Sequence, residues 1–202
     1  MWVVCSDLEG VFVPEVWINV AKKTGIEKLK LTTRDIQNYD ELMQYRLKIL
    51  DEHNLKIQDI QAVISTIEPL EGALEFTKWL REITRFVIVS DTFVEFAKPL
   101  MAQLENPFLL CHSLVINETG RITDYKLRQP DPKRKTVEAF KSLQYKVIAF
   151  GDSYNDISML KAADVGILYC PPANVIAEYP ELPVARSYQE LKTILDMYIF
   201  SE

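Results

Sequence analysis

The sequence predicts an α/β protein: a doubly wound parallel (Rossmann-like) sheet with an inserted small helical cap domain and a β-hairpin. Three observations carry this. Short apolar runs at residues 2–7, 85–90, 108–111, 146–150 and 165–168 alternate with helical patterns, as parallel strands joined by crossover helices do. Residues 15–71 hold no strand signal and several helical pieces, too much chain for a simple crossover. Residues 114–116 and 122–127 flank the turn sequence Asn117-Glu118-Thr119-Gly120 and read as an antiparallel hairpin.

Each element follows in order. Trp2-Val3-Val4-Cys5 is a continuous apolar run, the signature of a strand buried on both faces. The insertion shows helical periodicity best over residues 41–51, where Leu42, Tyr45, Leu47, Ile49 and Leu50 are mixed among charges. Pro69 and Gly72 mark its return. The expected division is therefore a core of residues 1–14 and 72–202 and a cap of residues 15–71. A cap inserted there lies over the carboxyl end of the sheet, where loops carry function. Ser90-Asp91-Thr92 ends the second strand and opens a helix, with Asp91 or Thr92 as its expected cap. Lys133-Arg134-Lys135 begins another helix behind Pro130 and Pro132. Residues 188–199 form the last helix and close the fold.

Composition bounds the function. The 202 residues suffice for one sizeable core with a small accessory lobe. A net charge of −6 disfavours nucleic acid and anionic membranes as main partners. No apolar run is long enough to span a bilayer, and the amino terminus enters a strand without the positive region of a signal peptide. Cys5, Cys111 and Cys170 are odd in number and lack metal spacing, so they are expected to be reduced, mostly buried thiols of a cytoplasmic protein. Asn117-Glu118-Thr119 matches a glycosylation sequon, which in such a protein is a chance match in a turn. A homodimer is compatible with this composition.

The chemistry gathers at strand ends. Asp7-Leu8-Glu9-Gly10 puts two carboxylates at i and i+2 just past the first strand. They repel unless a cation, a shared proton or solvent relieves them. A second loop of the same kind, Gly151-Asp152-Ser153-Tyr154-Asn155-Asp156, follows Val147-Ile148-Ala149-Phe150. Two distant strands ending in acids suggest one shared site for a hard cation such as Mg²⁺. The hydroxyl and free amides of Ser90-Asp91-Thr92 suit a phosphate oxygen, although a plain helix cap uses the same residues. Cations at a helix start oppose its dipole, so Lys133 needs solvent or an anion. Asn155 suits either a substrate or a turn. Glu15 and Arg46, each taken alone, read as surface charges.

Taken together, the order Asp-x-Glu, strand-end Ser, helix-start Lys and Gly-Asp-x-x-x-Asp resembles the haloacid dehalogenase superfamily of phosphotransferases, over the whole chain. The branch it most resembles is phosphoserine phosphatase. There the cap carries a Glu shortly after the first motif and an Arg in a helix of the form Arg-hydrophobic-x-hydrophobic-Leu. This chain has Glu15 and Arg46-Leu47-Lys48-Ile49-Leu50. One departure stands out: the branch usually has Asp-x-Asp, and Glu9 fills the second position here. Asp-Leu-Glu-Gly-Val, Gly-Asp-Ser-Tyr-Asn-Asp and Asp-Pro-Lys-Arg resemble a smaller bifunctional subfamily, whose members hydrolyse phosphoserine and also pass its phosphoryl group to homoserine.

The resemblance implies roles. Asp7 is the nucleophile and forms an aspartyl-phosphate. Glu9 is the general acid and then the base. Mg²⁺ is held by Asp7, by Glu9 through its backbone carbonyl, and by Asp152. Ser90, amides around Asp91, and Lys133 hold the phosphoryl oxygens. Asp156 orients Lys133 or a metal-bound water. Glu15 meets the substrate ammonium, Arg46 its carboxylate, and Asn155 assists nearby. Two rivals compete with this reading. One is a phosphatase of a sugar phosphate or phosphocholine, which has no use for both Glu15 and Arg46. The other is a receiver-like regulatory module, which the helical insertion and Glu9 argue against.

Overall fold

The computed structural model describes residues 1–32, 35–36 and 38–200. Its sheet is built from β1 (Trp2–Ser6), β2 (Arg85–Phe93), β3 (Leu109–Ile116), β4 (Ile122–Lys126), β5 (Lys146–Gly151), β6 (Val165–Tyr169) and β7 (Val184–Ala185). The seven strands lie in the order β4-β3-β2-β1-β5-β6-β7. Every pairing is parallel except β3 with β4. The chain order reverses at β1, which has β2 on one side and β5 on the other. In doubly wound sheets ligands bind at such a reversal, outside the carboxyl ends of the strands. Ser6 lies opposite both Ile88 and Phe150, so the segments after β1, β2 and β5 emerge side by side.

The helices are α1 (Val16–Thr24), α2 (Tyr39–Glu52), α3 (Ile57–Ile64), α4 (Ala73–Ile83), α5 (Val94–Gln103), α6 (Pro132–Ser142), α7 (Ile157–Ala162), α8 (Ala173–Glu178) and α9 (Tyr188–Ile199). Alternate strand residues feed two cores, because successive side chains leave opposite faces. Val4, Ile88, Ile148 and Phe150 pack with Phe96 of α5, Phe76 and Leu80 of α4, and Leu191 and Leu195 of α9. Val3, Cys5, Val87, Val147 and Ala149 pack with Val137 of α6, Ile157 and Leu160 of α7, and Val175 of α8. Strands buried on both faces explain the uninterrupted apolar runs.

The first core continues into the insertion through Val20, Leu29, Met43, Leu50, Ile60 and Ile64. Outgoing and returning chains meet where Leu70 N donates to Phe12 O at 2.8 Å. Asn38 caps α2 by accepting from Glu41 N at 3.1 Å. The hairpin holds the insertion from the side. Arg121 pairs with Asp51 at 2.7 Å, and Ile57 N donates to Gly120 O at 2.9 Å. Helix α5 contributes a further anchor. Pro99 has no N–H for the carbonyl of Glu95 one turn back. Gln61 Nε2 of α3 donates to that carbonyl instead, at 2.8 Å.

The structure revises several expectations. The expected strands 108–111 and 114–116 are one strand, β3, which pairs with β2 first and with β4 further on. Cys111-His112-Ser113 breaks the apolar pattern without breaking the strand. Neither Asp91 nor Thr92 caps a helix. β2 runs on to Phe93, which pairs with His112 past an irregularity and occupies the cap position of α5. The Thr92 N–H is taken by Ser90 Oγ at 3.2 Å. The two-residue strand β7 and the short helix α8 are below the length at which periodicity is legible. Of the three thiols Cys5 is buried, Cys111 half-buried and Cys170 exposed. The sequon asparagine does serve a turn: Asn117 Oδ1 accepts from Thr119 N at 3.1 Å and Arg121 N at 3.0 Å. Among the described residues no helix is long and apolar enough to cross a membrane.

Candidate active site

Three loops build the floor of the site. Asp7 N still donates to Phe150 O at 3.1 Å, so the sheet carries the nucleophile candidate one residue past β1. Its Oδ1 accepts from Leu8 N at 2.7 Å, and its Oδ2 lies 3.1 Å from Lys133 Nζ. Beyond β5 the chain makes a single 3₁₀ turn, Tyr154–Asp156. Asp156 is fully buried there, and its Oδ2 accepts from Asp152 N at 3.0 Å and Ser153 N at 3.1 Å. Helix α6 supplies Lys133. Asp131 turns the chain in a left-handed conformation, φ 45°, and Pro132 takes the first helical position.

Lys133 is 3% exposed and faces Asp156 at 2.8 Å, Asp7 at 3.1 Å and Asp91 at 3.5 Å. Burial works against its charge, but these three carboxylates hold its pKa well above the ordinary lysine value. Asp7 goes the other way from the usual paired acid. Burial raises its pKa well above the ordinary value, Lys133 opposes this, and Asp156, Asp152 and Asp91 add to it. Asp152 is pushed up to about 7, by burial first and then by Asp156 and Glu15.

Oxygen atoms of Asp7, Asp152 and Asp156 lie within 4.8 Å of one another. An all-carboxylate set in which Asp7 and Asp152 are held above the ordinary carboxylate range suits a hard divalent cation such as Mg²⁺, which relieves the repulsion. Asp156 is fully buried and does not line the site's cavity, which leaves Asp7 and Asp152 as the carboxylates that face it. The side chain of Glu9 is outside this group. Its Oε2 accepts from Val16 N at 2.8 Å, at the foot of α1. The Glu9 carboxylate is therefore not one of the side chains that converge there. Burial and the neighbouring Glu15 push its carboxyl up to about 7, against the Val16 N–H and Arg46.

Gly10 lets the two acidic loops close. It has φ +75°, and a Cβ there would lie 2.5 Å from Asp152 Oδ2. Gly10→Ala must adopt a left-handed backbone, costing roughly 1–2 kcal/mol, and displace the Asp152 carboxylate as well. We expect a lower melting temperature and turnover reduced about a hundredfold or more, from a shift of about 1 Å at the reacting groups. Near-normal turnover would show that the two loops need not approach this closely.

The other wall comes from the insertion. Arg46 is 7% exposed, and its Nη2 donates to Leu31 O at 2.8 Å. Its guanidinium lies 4.6 Å from the centre of the Trp17 ring, a cation–π contact. Arg46 Nε is buried with no hydrogen-bond partner. Burial lowers the arginine to about 10, while Tyr39, Glu9 and Glu15 resist. Floor and wall enclose a cavity of about 340 Å³ lined by Asp7, Glu9, Glu15, Arg46, Ser90, Asp91, Lys133, Asp152 and Asn155. Asp156, beneath the floor, is the one sequence-predicted site residue that does not line it. Trp17 and Tyr39 also line it and went unread, because aromatic residues in such patterns look like ordinary packing.

The raised carboxyl of Asp152 makes stability depend on pH. In metal-free protein the folded state keeps a proton that the unfolded chain releases near 3.8. That contribution is fully present below this value and is lost as pH rises through about 7. In chelator, Asp152→Asn should therefore melt higher than the unsubstituted protein at about pH 8 and alike near about pH 3.5. A gap that does not vary with pH would place the repulsion elsewhere.

A strand-end nucleophile candidate, a paired lysine, an acidic loop after a neighbouring strand and a helical insertion roofing all three define a class. The chain is a haloacid dehalogenase-like hydrolase: the description of that family matches residues 7–164. It is 62% identical over 190 residues to a phosphoserine phosphatase of Pseudomonas syringae pv. tomato, covering 94% of this chain and 80% of that one. It is 60% identical over 192 residues to phosphoserine phosphatase ThrH of Pseudomonas aeruginosa, covering 95% of this chain and 94% of that one. A solved phospho-aspartyl intermediate analogue of phosphoserine phosphatase shares the fold, with a TM-score of 0.76 at 21% identity over 95% of this chain and 97% of its own.

Proposed function

We propose that this hydrolase is a Mg²⁺-dependent phosphoserine phosphatase that works through an aspartyl-phosphate on Asp7, and that it also passes the phosphoryl group to homoserine. The observation that carries the substrate is that Glu15 and the buried Arg46 line the same cavity as Asp7 and Lys133. An amino-acid head presents an ammonium and a carboxylate, which these two match; a sugar phosphate presents neither. The two Pseudomonas relatives support the same reading. Residues 15–71 act as the cap, and residues 1–14 and 72–202 as the catalytic core, in a cytoplasmic enzyme.

The residues divide the work as follows. Asp7 Oδ2 attacks phosphorus as the seryl oxygen leaves. Glu9, with a carboxyl near neutrality, gives the leaving oxygen its proton and later takes one from the attacking hydroxyl. Lys133 draws on the phosphoryl oxygens. The Ser90 hydroxyl accepts from Thr92 N, so its own proton is available to the same oxygens. Arg46, which lines the cavity, turns its guanidinium charge toward the substrate carboxylate. Asp7, Asp152 and the main chain of Glu9 would hold Mg²⁺, which neutralises phosphoryl charge. A water or an alcohol then attacks phosphorus and frees Asp7.

Water stands at about 55 M, so millimolar homoserine needs an advantage on the order of 10⁴–10⁵ from binding, within the reach of orientation. Homoserine carries the same charged head as serine, so Glu15 and Arg46 can grip it. Incubation with phosphoserine and Mg²⁺, with and without homoserine, should yield phosphate in both cases and phosphohomoserine in the first, without ATP. Chelation should stop both products and Mg²⁺ restore them. Phosphate without phosphohomoserine would reduce the protein to a hydrolase. Activity on an aryl phosphate but not on phosphoserine would overturn the amino-acid assignment.

A further inference from the structure

β3 carries a buried histidine with a defined pair of partners. His112 is 4% exposed, and its ring packs 6.2 Å from that of Phe93 and 6.5 Å from that of Tyr39. A leucine would fill this space without desolvating two ring nitrogens. Both nitrogens are aimed. Nδ1 accepts from Arg128 N at 3.1 Å, so the neutral ring carries its proton on Nε2. Nε2 faces Asp91 Oδ1 at 3.6 Å, and Asp91 Oδ2 lies 3.5 Å from Lys133 Nζ.

Two consequences follow. Arg128 belongs to the segment that leads into α6 and so to Lys133. One imidazole therefore touches both the carboxylate beside the lysine and the chain that delivers it. Asp91, for its part, is an anion, and its carboxylate repels a phosphoryl group rather than binding it. Its use is to pull on Lys133 from a third direction, against Asp7 and Asp156. The position of Nζ is the balance of those three attractions. Burial disfavours the charge on Asp91, yet Lys133 and His112 hold its pKa down at about 2.

We propose that His112 is a positioning residue for phosphoryl transfer: acting through Asp91, it fixes the third pull on the Lys133 ammonium, against Asp7 and Asp156, and so sets where that ammonium meets the phosphoryl oxygens. This rests on the reading that Asp7 is phosphorylated while Lys133 holds the phosphoryl group.

Two conservative variants separate this from packing. His112→Asn places its polar atoms near Nδ1 and can still accept from Arg128 N. His112→Gln reaches the Nε2 position and can donate to Asp91. With competent sites counted from the phosphoenzyme burst, His112→Asn should lose about tenfold in kcat as the Nε2 contact with the Asp91 carboxylate goes, with KM for phosphoserine changed less than about twofold. His112→Gln should recover most of that loss. Asp91→Asn should match His112→Asn, and the double variant should be no slower than Asp91→Asn alone, because both act on one contact. The same pattern should hold on an aryl phosphate. Equal kcat for the Asn and Gln variants, or losses that multiply in the double variant, would overturn the proposal for His112. An unsubstituted protein inactive on both esters would instead overturn the phosphatase reading itself.

Discussion

Asp7→Asn should abolish turnover and leave the protein folded. The amide nitrogen and oxygen are poor nucleophiles, so no aspartyl-phosphate forms, and less than about a thousandth of the activity should remain. The fold should survive because Asn keeps the shape of Asp and its oxygen can still accept from Leu8 N, now made at 2.7 Å. The electrostatics favour the same outcome. Burial already disfavours the charged form of Asp7 in metal-free protein, so a neutral side chain relieves repulsion from Asp156, Asp152 and Asp91. Active-site acids that lower stability are the usual cost of function. The checks are kcat on phosphoserine, acid-stable label transferred from a labelled ester, and circular dichroism. Activity above that thousandth in folded protein would argue against covalent catalysis by this residue.

Arg46→Ala should weaken phosphoserine selectively. If Arg46 binds the substrate carboxylate inside a shielded cavity, its loss costs about 2–4 kcal/mol, most of it in KM. An aryl phosphate has no carboxylate and should lose far less. Arg46 also packs on Trp17 and ties α2 to Leu31 O, so a structural loss is the competing explanation. That explanation predicts equal losses on both esters, whereas recognition predicts a difference. Arg46→Lys should recover part of the affinity through charge but not the two-pronged geometry. Transfer to homoserine should fall in Arg46→Ala even when the phosphoenzyme is made from a small acyl phosphate that does not need the arginine.

Much of this molecule was legible as residues in order. The strand ends at Asp7 and Asp152 could be read because a buried strand is a local apolar run and the residue after it is known once the run is known. The insertion could be read because residues 15–71 contain helical periodicity where a crossover should be short. Errors came where pairing with a distant strand decided the local state. β2 extends through Asp91 and Thr92 because Phe93 finds His112 on β3, a contact no local pattern announces. β3 stays one strand through Cys111-His112-Ser113 for the same reason.

Residue order alone named the acids, the lysine and the arginine that the fold brings around one cavity. Direction was decided by the tertiary structure. It turned the Glu9 carboxylate toward Val16 N while the Asp7, Asp152 and Asp156 oxygens converged. It set Lys133 among three carboxylates, and it placed His112 behind Asp91. The reason is physical. Secondary structure depends on neighbours a few residues apart, whereas a side chain in a buried site points wherever charge, burial and a close approach such as that of Gly10 to Asp152 leave it the lowest free energy.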